Sequence, residues 1–218
     1  MLDQDNLTAK QKDYAIFLPA ISGFYATYIG KQRDPINGSY VDPARMPAGI
    51  QDMEMMNWLN SQKSLFPYKW SLYSGGHANL DLNKPDWSED MVRNREPGTL
   101  MLGDSGGFQI AKGLWEGDWR ANSGCPKAQK RREAVLKWLD GIADYGMTLD
   151  IPTWVIHDKK ASKACGISTL PEAVAATKYN NEYFMKHRRG VKNGGVKTTP
   201  RTTSTSWARA VVGHGDFG

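Results

Sequence analysis

The sequence predicts an α/β protein built around a parallel sheet. Short runs that are apolar throughout, rather than alternating with polar residues, recur along the chain and read as strands buried on both faces. Segments with helical periodicity separate them, giving the order strand, loop, helix of α/β folds. With 218 residues, 40% hydrophobic and 23% charged, the chain can bury a sizeable core, which excludes wholesale disorder and collagen-like or coiled-coil classes.

Residues 1–12 form a polar lead-in. Tyr14 to Gly30, YAIFLPAISGFYATYIG, is an apolar run broken at Pro19 and Gly23, hence a buried strand followed by a loop. Residues 31–49 hold three prolines and the Asn37-Gly38 turn signal, a long connection or hairpin tip. From Gly49 to Phe66, apolar residues at 53, 55, 56, 58 and 59 fit an amphipathic helix. YKWSLYSGGHANLDL, from Tyr68, is a second strand running into a Gly75-Gly76 turn. Trp87 and Ser88 precede two acids, a helix start that Pro97-Gly98 stops.

Thr99 to Ile110, TLMLGDSGGFQI, is a buried strand ending in a tight polar loop. Pro126 to Tyr145 is the strongest helical pattern. Pro126 suits a first turn, Ala128, Arg131/Arg132, Val135, Trp138, Leu139 and Ile142 make one stripe opposite a basic face, and Gly146 ends it. MTLDIPTWVI, from Met147, reads as another short strand, with Asp150 where apolar residues give way to Pro152. A last helix begins at Leu170, with Pro171 behind Ser168 and Thr169.

From Val196 the composition changes: Thr and Ser run almost continuously between 198 and 206 without amphipathic period. The expected organisation is therefore one domain over 1–195 and an irregular, flexible tail over 196–218. Four strands leave a parallel barrel open at an edge, so the chain is expected to be a fragment, or to depart from its ancestral reading frame near Gly195.

No apolar stretch approaches the roughly eighteen residues of a membrane span, and the acidic N-terminus lacks a secretory h-region, so no membrane association is expected. Two cysteines, Cys125 and Cys165, are too few for a disulfide framework or a four-cysteine zinc site, and a cytoplasmic setting follows. A net charge of +5 spread along the chain tolerates polyanions without demanding one.

The chemistry concentrates in Asp104-Ser105-Gly106-Gly107-Phe108-Gln109. A carboxylate at the C-terminal end of a buried strand stands where α/β folds place their sites. Adjacent glycines let backbone approach a ligand and offer unobstructed N–H donors. Phe108 adds an apolar face and Gln109 a donor and acceptor, a set suited to a planar heterocycle with a polar edge. The same string also reads as a tight turn serving geometry alone. Asp150, one helix later, would put a second carboxylate at the same mouth, and two such groups can divide acid and base work. It reads equally as a turn cap before Pro152.

LGDSGGFQI resembles the active-site signature of the tRNA-guanine transglycosylases (queuine tRNA-ribosyltransferases), and MTLDIP is similar to their next motif, an apolar strand ending in aspartate. IFLPAISGFYATYIGKQR, SLYSGGHANLDL and GDSGGFQIAKGLW look closer to the phage and bacterial branch, the DpdA-type 7-deazapurine DNA transglycosylases. The resemblance runs from about Tyr14 to Gly195. It implies the N-terminal part of a (β/α)8 TIM barrel, and an enzyme that replaces guanine in DNA with a 7-deazaguanine of the preQ0 or preQ1 type, protecting phage DNA from restriction. The alternatives are action on tRNA, or a non-catalytic base-binding or nucleic-acid-binding subunit; a homodimer is the candidate assembly in each case. A hydrolase of small glycosides or nucleosides, using the Asp104 and Asp150 pair directly, is a third reading.

By this resemblance Asp104 is the general acid/base, Ser105, Gly106, Gly107 and Phe108 form the base-binding loop with Gln109, and Asp150 reads the amino and ring N–H edge of the base. The family's nucleophilic aspartate, its glutamine-glycine motif and its Cys/Cys/Cys/His zinc site would lie beyond Gly195. Hence no cofactor or metal is expected in this chain, and its activity alone is in doubt. Cys125 and Cys165 lack ligand spacing, and Asp216 stands in no matching motif.

His77, after Gly75-Gly76, is a candidate at the mouth, and His157-Asp158 is a candidate to approach the substrate; either reads also as structural. Trp115 and Trp119 could stack on bases or pack the core. Lys127, Lys130, Arg131, Arg132 and Lys137 could track phosphates or form a solvated helix face. His187-Arg188-Arg189 reads as a helix C-terminus, where cations suit the dipole.

Overall fold

The computed structural model describes residues 16–23, 25, 29, 48–50, 53–78, 80, 91–188 and 206–208. Within them lie β1 (Trp70–Ser74), β2 (Leu100–Asp104), α1 (Gly107–Ala111), α2 (Pro126–Ile142), β3 (Tyr145–Met147), α3 (Lys159–Cys165), α4 (Leu170–His187) and β4 (Ser206–Ala208). The strands form one sheet in the order β1-β2-β3-β4, every pair parallel. The α/β expectation holds in this form, a small parallel sheet with helical crossovers.

β2 sets the architecture. Its residues alternate between half-buried Leu100, Leu102 and Asp104 and buried Met101 and Gly103. A Cβ at Gly103 would overlap the Leu139 side chain and come within 2.8 Å of Ala143 Cβ, so the glycine lets α2 lie directly on the strand. On that face Tyr73 meets Trp138 edge-on at 5.2 Å, both fully buried, and Val135 and Leu139 complete the layer. The opposite face carries Trp70, Leu100, Leu102 and Tyr145, which with Ile16 and Leu18 line an open apolar recess of about 140 Å³.

Several expected elements differ in form. Of the strand expected over Tyr14–Gly30, the described residues show a single parallel bridge, Ala20 to Leu72, flanked by Ile21 N–H donating to Leu72 O and Leu72 N–H to Pro19 O. The helix expected from Gly49 to Phe66 shrinks to a 3-10 turn, Met53–Met56. Asn57, Asn60 and Ser64 side chains accept from the backbone N–H groups of Leu59, Gln62 and Phe66, offering the chain turns in place of helix. The helix start at Trp87-Ser88 and nearly all of the connection over 31–49 lie outside the described residues, and Met91–Asn94 forms a 3-10 turn.

α2 ends at Ile142 rather than Tyr145, and β3 starts at Tyr145 instead of Met147. Asp144 explains the shift. Its Oδ2 accepts from Met101 N–H at 2.8 Å and its own N–H donates to Met101 O at 3.0 Å, pulling the chain into the sheet. Arg95 locks this junction, donating to Asp144 at 2.8 Å, Ile142 O at 2.9 Å and Thr99 O at 3.0 Å.

α4 starts as expected. Thr169 is its N-cap, and Glu172 reaches back to the Thr169 N–H at 3.0 Å in a capping box. α3 was not anticipated; Asp158 caps it by accepting from Lys160 and Ala161 N–H, both at 3.0 Å. Within the segment expected to be an irregular tail, Ser206–Ala208 pairs with β3, Gly146 opposite Trp207. Among the described residues no helix is long and apolar enough to cross a membrane.

Candidate functional site

Parallel pairing puts Ser74 and Asp104 side by side at the C-terminal ends of β1 and β2. Ser74 Oγ donates to Asp104 Oδ2 at 2.6 Å and accepts from Gly76 N–H at 3.2 Å, while Gly75 N–H donates to Asp104 O at 2.9 Å. The turn after β1 thus clamps the carboxylate. Ser74 escaped the sequence reading; the signal for it was its place at the strand end before Gly75-Gly76.

After Asp104 the chain turns sharply. Gly106 takes φ +83° and caps α1; a Cβ there would come within 2.7 Å of the Trp115 ring and 3.0 Å of Gly76 N. A Cβ on Gly107 would overlap the Asp150 carboxylate. The two glycines therefore admit, from one side, the β1 turn and Trp115, and from the other, Asp150. Ser105 is buried and donates to Thr148 O at 3.2 Å, fastening the loop to the end of β3. That hydroxyl positions the loop and is turned away from solvent.

Asp150 lies in the coil beyond β3, not within a strand as the sequence suggested. Thr177 Oγ1 accepts from the neighbouring Ile151 N–H at 2.9 Å, and Thr148 Oγ1 hydrogen-bonds Asn181 Oδ1, so α4 holds this segment from behind. Burial pushes the Asp150 carboxyl above its ordinary range, its own backbone N–H opposes this, and the charge of Asp104 adds to the rise. The two predicted carboxylates are therefore within electrostatic reach across the Gly106-Gly107 turn.

Gln109 is buried, its carboxamide seated in the space a Gly76 Cβ would fill, and its Oε1 has no hydrogen-bond donor among the described residues. Phe108 is 54% exposed and Trp154 is 37% exposed, their rings 5.8 Å apart, with Lys112 Nζ 5.6 Å from one centroid and 5.0 Å from the other. Lys112 and Trp154 extend the aromatic face that Phe108 begins, and neither was singled out in the sequence.

The remaining candidates separate. His77 is exposed in the β1 turn, its backbone N–H donating to Ser74 O at 2.9 Å, with no ring hydrogen bond among the described residues. His157 is exposed, and Asp158 caps α3. Trp119 is fully buried and donates from Nε1 to Trp115 O at 2.9 Å, which makes it core rather than a stacking surface. Trp115 walls Gly106, with the Arg131 guanidinium 4.7 Å above its ring. Lys127, Lys130 and Lys137 are exposed, but Arg132 is buried and cannot lie on a solvated face. His187 closes α4, its Nδ1 2.8 Å from Tyr183 O. Asp216 lies outside the described residues.

Cys125 flanks the start of α2 and Cys165 is buried in α3. Among the described residues no three His, Cys, Asp or Glu side chains stand together to hold a metal. No family model matches the chain, and neither does any curated protein or solved structure.

Proposed function

We propose that the chain is a guanine/7-deazaguanine transglycosylase acting on DNA, framed on part of a (β/α)8 barrel. Asp150 closed against the side-chain-free Gly107, one turn from Asp104 and within reach of its charge, carries this reading. A planar purine laid along that turn has carboxylates for its N–H edge and the Phe108 and Trp154 rings at its rim. A base donating its amino and ring N–H groups to Asp150 supplies the hydrogen bonds that burial denies the ionised carboxylate.

In base exchange the bond from C1′ to guanine breaks as a nucleophilic oxygen bonds to C1′. The departing base takes up a proton, and the incoming 7-deazaguanine releases one as it displaces the nucleophile, with retention overall. Asp104, held by the Ser74 hydroxyl, is assigned that proton traffic. Asp150 reads the base, and no described residue is assigned as the nucleophile. Exchange in phage DNA would block restriction enzymes that recognise guanine.

The test is incubation with guanine-containing DNA or tRNA and labelled preQ0. Incorporation into DNA, abolished by Asp104→Asn, is expected. Incorporation into tRNA alone removes the DNA assignment, and neither exchange nor base binding removes the whole reading.

One observation favours a second reading, a base-binding subunit completed by another chain. The sheet face carrying Trp70, Leu100 and Leu102 is apolar and open. Base binding without exchange, with turnover restored by a full-length transglycosylase, would select it.

A further inference from the structure

Arg132 is the most deeply buried cation among the described residues, at 3% exposure, and no carboxylate stands within ion-pair distance of it there. Its Nε donates to Asn180 Oδ1 at 2.7 Å and its Nη1 to Gln129 Oε1 at 2.6 Å. The guanidinium lies among three rings, 5.4 Å from Trp119, 4.9 Å from Tyr179 and 5.7 Å from Tyr183. Burial lowers its hold on its proton, as expected of a cation stripped of water without a counter-charge. Nη2 makes no hydrogen bond among the described residues.

Arg132 lines a cavity of about 80 Å³ at the start of α2, with Arg120, Gly124, Cys125 and Tyr179 among its other walls. That is far below the several hundred Å³ of sites for nucleosides and drug-sized ligands, and suits a single small ion. The walls are rich in donors not otherwise engaged. Arg120 binds Asp118 through Nε and Nη2, leaving Nη1; the Gly124 N–H and the Tyr179 hydroxyl make no hydrogen bond among the described residues. Nearby acceptors are already occupied: Asp118 by Arg120, Glu133 by Gln129 Nε2 at 2.8 Å. The thiol of Cys125 is held below its ordinary value by backbone N–H groups, Ala128 first and Asp118 second, so rising pH brings a competing negative charge to this wall.

We infer that this cavity binds a phosphate-type oxyanion, held by the guanidinium groups of Arg132 and Arg120, the Gly124 N–H and the Tyr179 hydroxyl. Charge-assisted bonds from two guanidinium groups recognise a tetrahedral oxyanion, whose charge balances Arg132. α2 returns antiparallel to β2, so its start lies at the same end of the sheet as Asp104, and Trp115 and Trp119 bridge the two places by contact. The ligand is either a phosphodiester of a polynucleotide or free phosphate. The site does not rest on base exchange, and phosphate binding is measured without it.

The test titrates inorganic phosphate into the whole chain at fixed ionic strength against chloride, reading heat of binding and melting temperature. Saturable binding and a rise in melting temperature are expected, weakened about tenfold or more by Arg132→Gln. If Arg132→Gln does not fold, Arg120→Gln and Tyr179→Phe serve, each weakening phosphate by several-fold. Raising pH should favour phosphate binding in Cys125→Ser over the parent chain, a comparison in which the ionisation of phosphate itself cancels. Displacement of phosphate by a short oligonucleotide assigns the phosphodiester; saturable binding without displacement assigns free phosphate. No saturable binding, or binding that none of the variants weakens, overturns the site.

Discussion

Ser74 and Asp104 occupy one register position on adjacent parallel strands, and the serine hydroxyl donates to the carboxylate at 2.6 Å. The bond fixes the oxygen expected to exchange protons with the base. Ser74→Ala should leave the fold intact, destabilise it by about 1.5–3 kcal/mol as for a hydrogen bond to a charged group, and lower base exchange about tenfold or more. Denaturant melts and single-turnover exchange check both. Full activity in the alanine variant would separate Ser74 from the chemistry.

Gly107 is sterically committed. Its hydrogen faces the Asp150 carboxylate, and an added methyl must displace that group. Gly107→Ala should cost about 1–3 kcal/mol by overpacking and abolish binding of guanine or preQ0 by calorimetry. Gly98, at positive φ but with open space where a Cβ would sit, should show only the backbone strain of its substitution and no loss of base binding.

Asp150 predicts a pH signature. Its folded carboxyl titrates above 3.8, pushed first by burial, so the folded state holds its proton more tightly than the unfolded chain. Its contribution to stability is therefore most favourable below 3.8 and declines as pH rises through the folded value. Asp150→Asn removes that decline: the variant should be more stable than the parent at neutral pH, with the gap closing in acid. Thermal melts across pH measure it, and a gap that widens in acid would contradict the assignment.

Arg95 and Asp144 decide where α2 stops and β3 starts. Their side chains are 10% and 12% exposed, and Arg95 also satisfies the carbonyls of Ile142 and Thr99. Arg95→Met leaves a carboxylate and two carbonyls without that donor and should cost about 3–5 kcal/mol in denaturant unfolding.

The sequence carried more of the site than of its support. The LGDSGGFQ string located the strand end, the tight turn and the exposed Phe108, because a glycine pair after an apolar run and a following aromatic are local signals. Ser168, Thr169 and Pro171 announced the start of α4 for the same reason, cap residues and a first-turn proline being local signals, and the structure adds Glu172 as the second half of a capping box. Gly49 to Phe66 misled because hydrophobic spacing suggested helix, while Asn57, Asn60 and Ser64 bond their own backbone. Strand β3 began two residues early because its register depends on Asp144 reaching Met101, a contact 43 residues apart.

Arg132 shows the same division most sharply. The sequence placed Arg131/Arg132 both in the stripe of α2 and among the basic residues of a phosphate-tracking or solvated face, and no local pattern tells Arg132 from Arg131. Asn180, 48 residues away, and the rings of Trp119, Tyr179 and Tyr183 enclose it once α2 and α4 pack. Residue types and short spacings were enough to specify the turns, caps and apolar runs, since those rest on interactions among near neighbours. Which carboxylates meet, which serine clamps one of them and which arginine is shut away from water depend on distant segments being brought together, and that information exists only once the sheet and its helices have packed.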